Sequence, residues 1–572
     1  MRCGSIINCY AIRKETMSIM DDKGKQFRLY FMLLLIAALP LFSLGLANHA
    51  LWTPDEPRVA EIGREMALNN NWAVPTLDQK PFLEEPPLYY AAIAAVFKAL
   101  GTSSDKVVRI PSAIFAFGGV LALFFLGNML SGPRTGLLAA GVMAASGEYF
   151  RVAHWVIVDS ALTCFIICAL TFFLAAYLAP DKGKRFLFYI LCYISCTLAF
   201  YAKGFIGVAI PGLAVLAFLI FDRNIKEILK MHLWLGIAVF LAMTLPWFLS
   251  LYHQGGSEYL TVFLIHNHLE RFAGGSTGHH QPFYYYLAQF PGAFLPWSPL
   301  LVPVFLRSFR KPRPLPGNTK QGLLFAQCWF IAGFLLLSAA STKRVLYLMP
   351  IFAPISLLTA WYMEAALLRA GFSKLEDFFI RAFGYIILMV SLVIIPLFFY
   401  ASGKYGFGVP PKETTWTVFL TLAAIVLSLM ALRGRAKDMG RFWACSSASV
   451  FSLLLLGLVA AMPLLDRYKS FVPFCNAVIA AVPASAPLYG YQPDETLRGV
   501  VPFYTGRFLS EMETLPALEE AIGKTHTAFV VIRDKNGKVE EELLSTGKFS
   551  ALARQGMDAT RSVVLFTTGR VP

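Results

Sequence analysis

Long apolar stretches recur along this chain, separated by short polar and basic segments. A run of about 20 apolar residues lets a helix cross the hydrocarbon core of a bilayer. The pattern predicts about thirteen transmembrane helices, at about 27–47, 107–129, 135–148, 155–178, 186–201, 205–221, 232–252, 291–306, 322–340, 345–367, 382–400, 415–432 and 442–464. Leu88–Leu100 is apolar but too short to cross, and it predicts a helix lying along the membrane interface. Past about Asp466 the long runs stop. Short β-type stretches, Ala528–Ile532 and Ser562–Phe566, then alternate with helical ones, Leu515–Ile522 and Lys538–Leu544, which predicts a small α/β domain. The expected architecture is an all-α polytopic membrane protein with a C-terminal α/β domain. It divides into a tail over 1–26, a membrane part over 27–464 with outer loops at 48–106 and 253–290, and the α/β domain over 465–572.

Charge assigns the sides. Cytoplasmic loops of inner-membrane proteins are rich in Lys and Arg. Lys23, Lys25 and Arg28 precede the first span, and Arg307, Arg310, Lys311, Arg313 and Lys320 form the most basic loop, so both are expected inside. The 48–87, 253–290 and 466–572 segments are then expected in the periplasm. Met1–Lys25 lacks the apolar core of a cleavable signal, and the first span is expected to remain as an anchor.

Composition supports this class: of 572 residues 57% are hydrophobic and only 15% charged, and the mean hydropathy is +0.58. The net charge of +15 lies in loops between spans and speaks for anionic membrane lipids, not for nucleic acid. Of the nine cysteines, Cys164, Cys168, Cys192, Cys196 and Cys328 fall in apolar runs, where a thiol behaves as a small hydrophobe.

Against this basic background the first outer loop is acidic. Seven carboxylates, Asp55, Glu56, Glu61, Glu65, Asp78, Glu84 and Glu85, face only Arg58, Arg64 and Lys80. Pro54 and Pro57 bracket Asp55-Glu56 and fix a turn that opens a helix, so Asp55 is a candidate general base and, alternatively, a helix cap. Asp159 sits in an apolar run, where an ionisable group usually faces a cavity or a partner. Lys203, Lys343 and Arg344 are cations expected at outer loop tips, against the positive-inside bias, and phosphate recognition is their natural use. Arg271 is a cation in a loop otherwise poor in them. His266 lies in a His-x-His pattern and, with Glu84, is the candidate pair for a divalent metal; no other cofactor is called for.

Four motifs together carry a family resemblance: Trp52-x-Pro-Asp55-Glu56-x-Arg58-x-Ala-Glu61-Ile-x-Arg64-Glu65-Met66, Glu84-x-Pro-Pro-Leu-Tyr-Tyr90, Arg271-Phe272 after a His-containing segment, and Ser341-x-Lys343-Arg344-x-x-Tyr347-x-x-Pro350. The chain closely resembles GT-C glycosyltransferases of the aminoarabinose (lipid A) transferase and protein mannosyltransferase type. The resemblance implies a GT-C membrane fold and transfer of a sugar from undecaprenyl phosphate to a lipid or glycan acceptor at the periplasmic face of the bacterial inner membrane. It implies that Asp55 is the catalytic carboxylate and that Glu84, Asp159, Lys203, Arg271, Lys343 and Tyr347 occupy cavity positions. Asp159 is expected to join Asp55 in catalysis, Lys203, Arg271, Lys343, Arg344 and Tyr347 to bind the donor phosphate, and Glu56, Arg58, Glu84 and Glu85 to line the acceptor site or cavity. The chain departs where the aminoarabinose enzymes typically read Glu-Lys-Pro: it has Glu84-Glu85-Pro86, one cation fewer for the phosphate. Protein O-mannosylation and the flipping of a polyprenyl-linked sugar are the alternatives. A flippase calls for charges near the bilayer midplane and for internal repeats. Here the polar residues crowd one rim, and no convincing repeat is found.

Overall fold

The computed structural model describes residues 24–568 apart from 54, 271, 273, 275–279, 310–317, 369–371, 405–410, 436, 524–526 and 558–559. Among these, ten helices are long and apolar enough to cross a membrane. In chain order the elements that build the site are α1 (Gly24–Ser43), α2 (Asp55–Asn69), α3 (Leu88–Leu100), α4 (Ile110–Ser131), α5 (Pro133–Ala144), α6 (Gly147–Ala153), α7 (Asp159–Leu178), α8 (Lys182–Lys203), α9 (Ile206–Phe221) and α10 (Leu233–Thr261).

Three of the thirteen expected spans fall short. The run at 135–148 folds as α5, of 12 residues, then breaks at Ala145-Ser146 before the 7-residue α6. The run at 205–221 is α9, whose 16 residues give a length of about 24 Å, less than the ~30 Å core. The run at 291–306 carries Pro291, Pro296, Pro299 and Pro303. Each proline removes a helical hydrogen bond, and the stretch bends by 119° between Tyr285–Ala293 and Ser298–Ser308. Hydropathy alone counts apolar residues and does not see these breaks.

The acidic loop is a structured layer. Leu88–Leu100 is helical over the expected residues and buries Tyr89, Tyr90, Ile93, Ala94 and Phe97. It packs on α2 where Gly63 leaves room: a Cβ there would stand 2.4 Å from Ile93 Cγ2. Between the two helices, β1 (Thr76–Leu77) and β2 (Lys80–Pro81) form a small antiparallel hairpin.

The C-terminal region folds around a five-stranded mixed sheet of order β4-β3-β5-β7-β6, with β3 Leu488–Tyr491, β4 Ser510–Met512, β5 Phe529–Lys535, β6 Ser550–Gly556 and β7 Arg561–Thr567. β3 pairs in parallel with β4 and β5; β7 pairs antiparallel with β5 and β6. Successive side chains of a strand point to opposite faces. Phe529 and Val531 of β5 and Val563 and Leu565 of β7 therefore enter one apolar cluster, with Phe474 and Val500. Val530, Ile532, Val564 and Phe566 enter the other, with Leu518 and Leu543. Both faces of the sheet are covered.

This sheet unit docks on the acidic loop. Gly499 of helix Glu495–Thr505 lies against the start of α2, where a Cβ would be 2.6 Å from Arg58 N. The Tyr504 hydroxyl accepts from Leu51 N–H at 2.8 Å, and Asp78 accepts from Leu509 N–H at 3.0 Å. Burial pushes the Asp78 carboxyl up to about 6, and the neighbouring Glu511 and Glu65 add to the rise against the Leu509 hydrogen bond. Between about pH 4 and 6 the docked state therefore holds a proton that the free chain has lost, so the contact weakens as the pH rises through this window. Asp78→Asn keeps the acceptor and removes the charge. It is expected to stabilise the docked form by about 1 kcal/mol at pH 7 and to flatten the dependence from pH 4 to 6. Thermal unfolding of the solubilised protein across pH checks this; equal melting of both proteins at pH 7 would be the contrary result.

Candidate active site

Asp55 opens α2, and its carboxylate is nearly out of solvent. Arg344 grips it with both ends of the guanidinium: Nη1 donates to Oδ1 at 3.0 Å and Nη2 to Oδ2. Arg58 Nη2 adds a longer contact to Oδ1 at 3.4 Å. Burial works to raise the Asp55 carboxyl, but the hydrogen bonds and charge of Arg344, with Arg58 and Lys203 behind it, hold it below the usual carboxylate range. The group is thus ionised at neutral pH, as a base must be. Arg58 is itself held by Glu495 of the sheet unit at 2.7 Å and lies 3.9 Å from Glu84. The C-terminal region thereby braces the acidic loop.

A second ion pair stands beside the first. Asp159 opens α7 and Lys203 closes α8, and Lys203 Nζ donates to Asp159 Oδ1 and Oδ2 at 2.6 and 2.5 Å. The same Nζ lies 4.3 Å from the centroid of the Tyr347 ring, within cation–π reach. Gly204 makes this arrangement possible. It ends α8 at φ 75°, which favours glycine, and a Cβ there would come 2.0 Å from His268 Nε2.

Glu84, Glu85, Asp159, Lys203, Asn267, His268 and Tyr347 line one cavity of about 330 Å³, whose remaining wall is largely apolar. Phe205 is shared with a second cavity of about 620 Å³ between α8, α9 and α10, lined almost wholly by apolar side chains. A charged chamber therefore adjoins an oily one.

The other expected residues lie elsewhere. Glu56 points away from both cavities into an ion pair with Arg109, in which both side chains are fully buried. Lys343 Nζ is spent on two backbone carbonyls, Gln281 O at 2.9 Å and Ala340 O at 2.5 Å, so it braces the loop that presents Arg344. Arg271 lies outside the described residues. His266 pairs with Glu270 at 2.8 Å on an exposed face, and among the described residues no group of three metal-binding side chains forms around Glu84, His266 or elsewhere. Sequence reasoning missed Arg109 and Tyr90. Arg109 carried a usable signal, since it is a cation at the end of a span expected to lie outside, the feature that singled out Lys343 and Arg344.

Comparison with known proteins follows this geometry. The family model for dolichyl-phosphate-mannose-protein mannosyltransferase matches residues 84–249. The undecaprenyl phosphate-alpha-4-amino-4-deoxy-L-arabinose arabinosyl transferase of Shewanella sediminis is 30% identical over 420 residues, 73% of this chain and 74% of that protein. The enzyme of the same description from Pectobacterium carotovorum is 30% identical over 413 residues, 71% and 72% of the two chains. Among solved structures, ArnT from Cupriavidus metallidurans bound to undecaprenyl phosphate matches with a TM-score of 0.75 at 21% identity, over 94% of this chain and 98% of that one. That likeness is one of fold.

Proposed function

From the premise that this chain belongs to the undecaprenyl phosphate-alpha-4-amino-4-deoxy-L-arabinose arabinosyl transferases, we propose that it moves 4-amino-4-deoxy-L-arabinose, or a closely related amino sugar, from undecaprenyl phosphate to a lipid acceptor such as lipid A. It is a multi-pass integral membrane glycosyltransferase. The observation that carries the reading is the charged chamber opening beside the apolar one through Phe205. A polyprenyl chain would lie in the second while its phosphosugar stands in the first.

In the step itself an acceptor oxygen bonds to the anomeric carbon as the bond from that carbon to the phosphate oxygen breaks. The acceptor proton passes to Asp55, and polyprenyl phosphate leaves. Lys203 and Arg344, both occupied by carboxylates in the free protein, can turn to the leaving phosphate, where charge develops. Tyr347 orients Lys203 through its ring. Lys203→Ala is accordingly expected to raise the KM for the donor about 10- to 100-fold, one charge-assisted contact. Steady-state kinetics with donor varied would reveal this; an unaltered donor KM in well-folded protein would move the clamp elsewhere.

We place the site on the periplasmic face, with a membrane part to about residue 464 and a periplasmic domain over 465–572. Single cysteines introduced at Ser257 and Lys548 should react with an impermeant thiol reagent in spheroplasts, and one at Lys320 should not. The reverse pattern inverts the topology. The function is tested in proteoliposomes holding undecaprenyl phosphate aminoarabinose and lipid A. Labelled sugar should appear on lipid A, while sugar transfer to protein alone would favour O-glycosylation and movement of donor without transfer would favour a flippase.

A further inference from the structure

Helix Glu495–Thr505 of the sheet unit lies against the residues that follow Asp55. Its entry is fixed locally, because the Asp494 side chain caps it by accepting from Leu497 N–H at 3.1 Å. Glu495 and Gly499 are four residues apart and share one face of the helix. At Gly499 that face meets the backbone of α2 so closely that a Cβ would stand 2.6 Å from both Pro57 C and Arg58 N. One turn earlier Glu495 reaches the Arg58 side chain, and its Oε2 accepts from Nη1 at 2.7 Å. Arg58 is shared among three carboxylates. Its Nη2 stands 3.4 Å from Asp55 Oδ1, at the limit of a hydrogen bond, and its Nη1 lies 3.9 Å from Glu84. The short contact is the one to Glu495. Burial works to lower the Arg58 guanidinium, and Glu495, followed by Glu84, Tyr90 and Asp55, holds it above its ordinary value. Both oxygens of Asp55, meanwhile, already receive Arg344. A carboxylate gripped by two arginines at full strength is a weak base, since every charge-assisted hydrogen bond favours its ionised form. Arg58 stands just short of that arrangement, and Glu495 draws it away.

Resting on the transfer reading above, we propose that Glu495 is a positioning residue for catalysis: by drawing Arg58 toward the sheet unit it leaves Asp55 free to take the acceptor proton. The C-terminal region then does more than brace the acidic loop, because it sets the strength of the base through Arg58. With the Glu495 charge removed, Arg58 closes on Asp55 Oδ1 and proton transfer slows, while donor binding, which falls to Lys203 and Arg344, is kept.

The test is steady-state sugar transfer in proteoliposomes with undecaprenyl phosphate aminoarabinose and lipid A, normalised to folded protein. The Glu495 side chain is 52% exposed, so Glu495→Gln, which keeps its length, should fold and melt like the wild type. Its kcat is expected to fall about 10-fold, a part of what losing the base outright would cost, with the donor KM unchanged. In an Arg58→Gln background the same change should have no further effect, because residues acting through one contact are not additive. Lys80→Gln removes a different ion pair between the acidic loop and the sheet unit, the one with Glu511, and should transfer at the wild-type rate. An equal loss in Lys80→Gln would assign the effect to docking alone, and a full Glu495→Gln loss in the Arg58→Gln background would show that Arg58 is not the route; either overturns the proposal. Should Arg58→Gln fail to fold, the comparison with Lys80→Gln decides by itself. Wild-type turnover in Glu495→Gln also overturns it and leaves the transferase reading intact, whereas failure of the wild-type protein to transfer sugar removes both.

Discussion

Asp55→Asn should yield a protein that folds, inserts and binds donor, yet transfers sugar about 10²- to 10⁴-fold more slowly, the loss typical of a removed acid–base group. Asparagine caps a helix about as well as aspartate, so α2 should still begin where it does. The amide keeps one acceptor for the Arg344 fork, whose other arm is released. A released Arg344 has no reason to weaken phosphate binding, so the donor KM should hold or fall while kcat collapses. A merely structural ion pair predicts the opposite split, with lower stability and nearly normal turnover per folded molecule. Because Arg344 and Arg58 outweigh burial and hold the Asp55 carboxyl low, its ionised form persists as the pH falls to the ordinary carboxylate range. The stability of this ion pair is present above that range and is lost only as the pH falls through the depressed value. The wild-type rate should therefore show no acid limb from Asp55 between pH 5 and 8. Near-normal transfer by the asparagine variant, normalised to folded protein, would end the catalytic assignment.

Much of this site is legible in the chain because membranes make charge conspicuous. A carboxylate inside an apolar run, as at Asp159, or a cation at a loop tip expected outside, as at Lys203 and Arg344, stands out against a background that excludes it. The pairings are another matter. Asp55 and Arg344 lie 289 residues apart, and no periodicity links them. Sequence also gives Glu56 and Asp55 the same standing, as neighbours on one proline-bracketed turn. Successive residues on a helix do not face each other, so Asp55 turns to Arg344 and Glu56 to the buried Arg109. Lys343 and Arg344 divide in the same way, one to backbone carbonyls and one to Asp55. The Tyr90 hydroxyl on Glu85 was hidden for a further reason: an aromatic at helical spacing reads as packing, and its polar tip is invisible until the fold is built. Three of the expected spans are short or bent where helix-breaking residues, and not hydropathy, decide the length of a helix.

The buried partner of Glu56 leads to the other large effect, on stability and not on chemistry. Arg109→Met should destabilise the protein by about 3–5 kcal/mol, the cost of leaving one member of a buried ion pair without its counter-charge. Arg109 Nε and Nη2 each reach Glu56 at 2.8 Å, and the remaining donors bind the carbonyls of His49 at 3.0 Å and Ala50 at 2.8 Å. Glu56 in turn accepts from Trp52 N–H at 2.8 Å and Val156 N–H at 3.0 Å. One guanidinium thus fixes the 49–56 turn that sets Asp55 beside Arg344, and ties it to the segment entering α7 at Asp159. With methionine at 109 the Glu56 charge is stranded where its side chain is fully buried. The variant should accumulate poorly and melt well below the wild type in detergent, while the fraction that folds retains its donor KM. Adding Glu56→Gln removes the stranded charge and should restore a good part of the lost stability, a result no catalytic role for Glu56 would give. A single Arg109→Met variant that melts like the wild type would show that the turn is held by its backbone hydrogen bonds alone, and Arg109 would then have no part in placing Asp55.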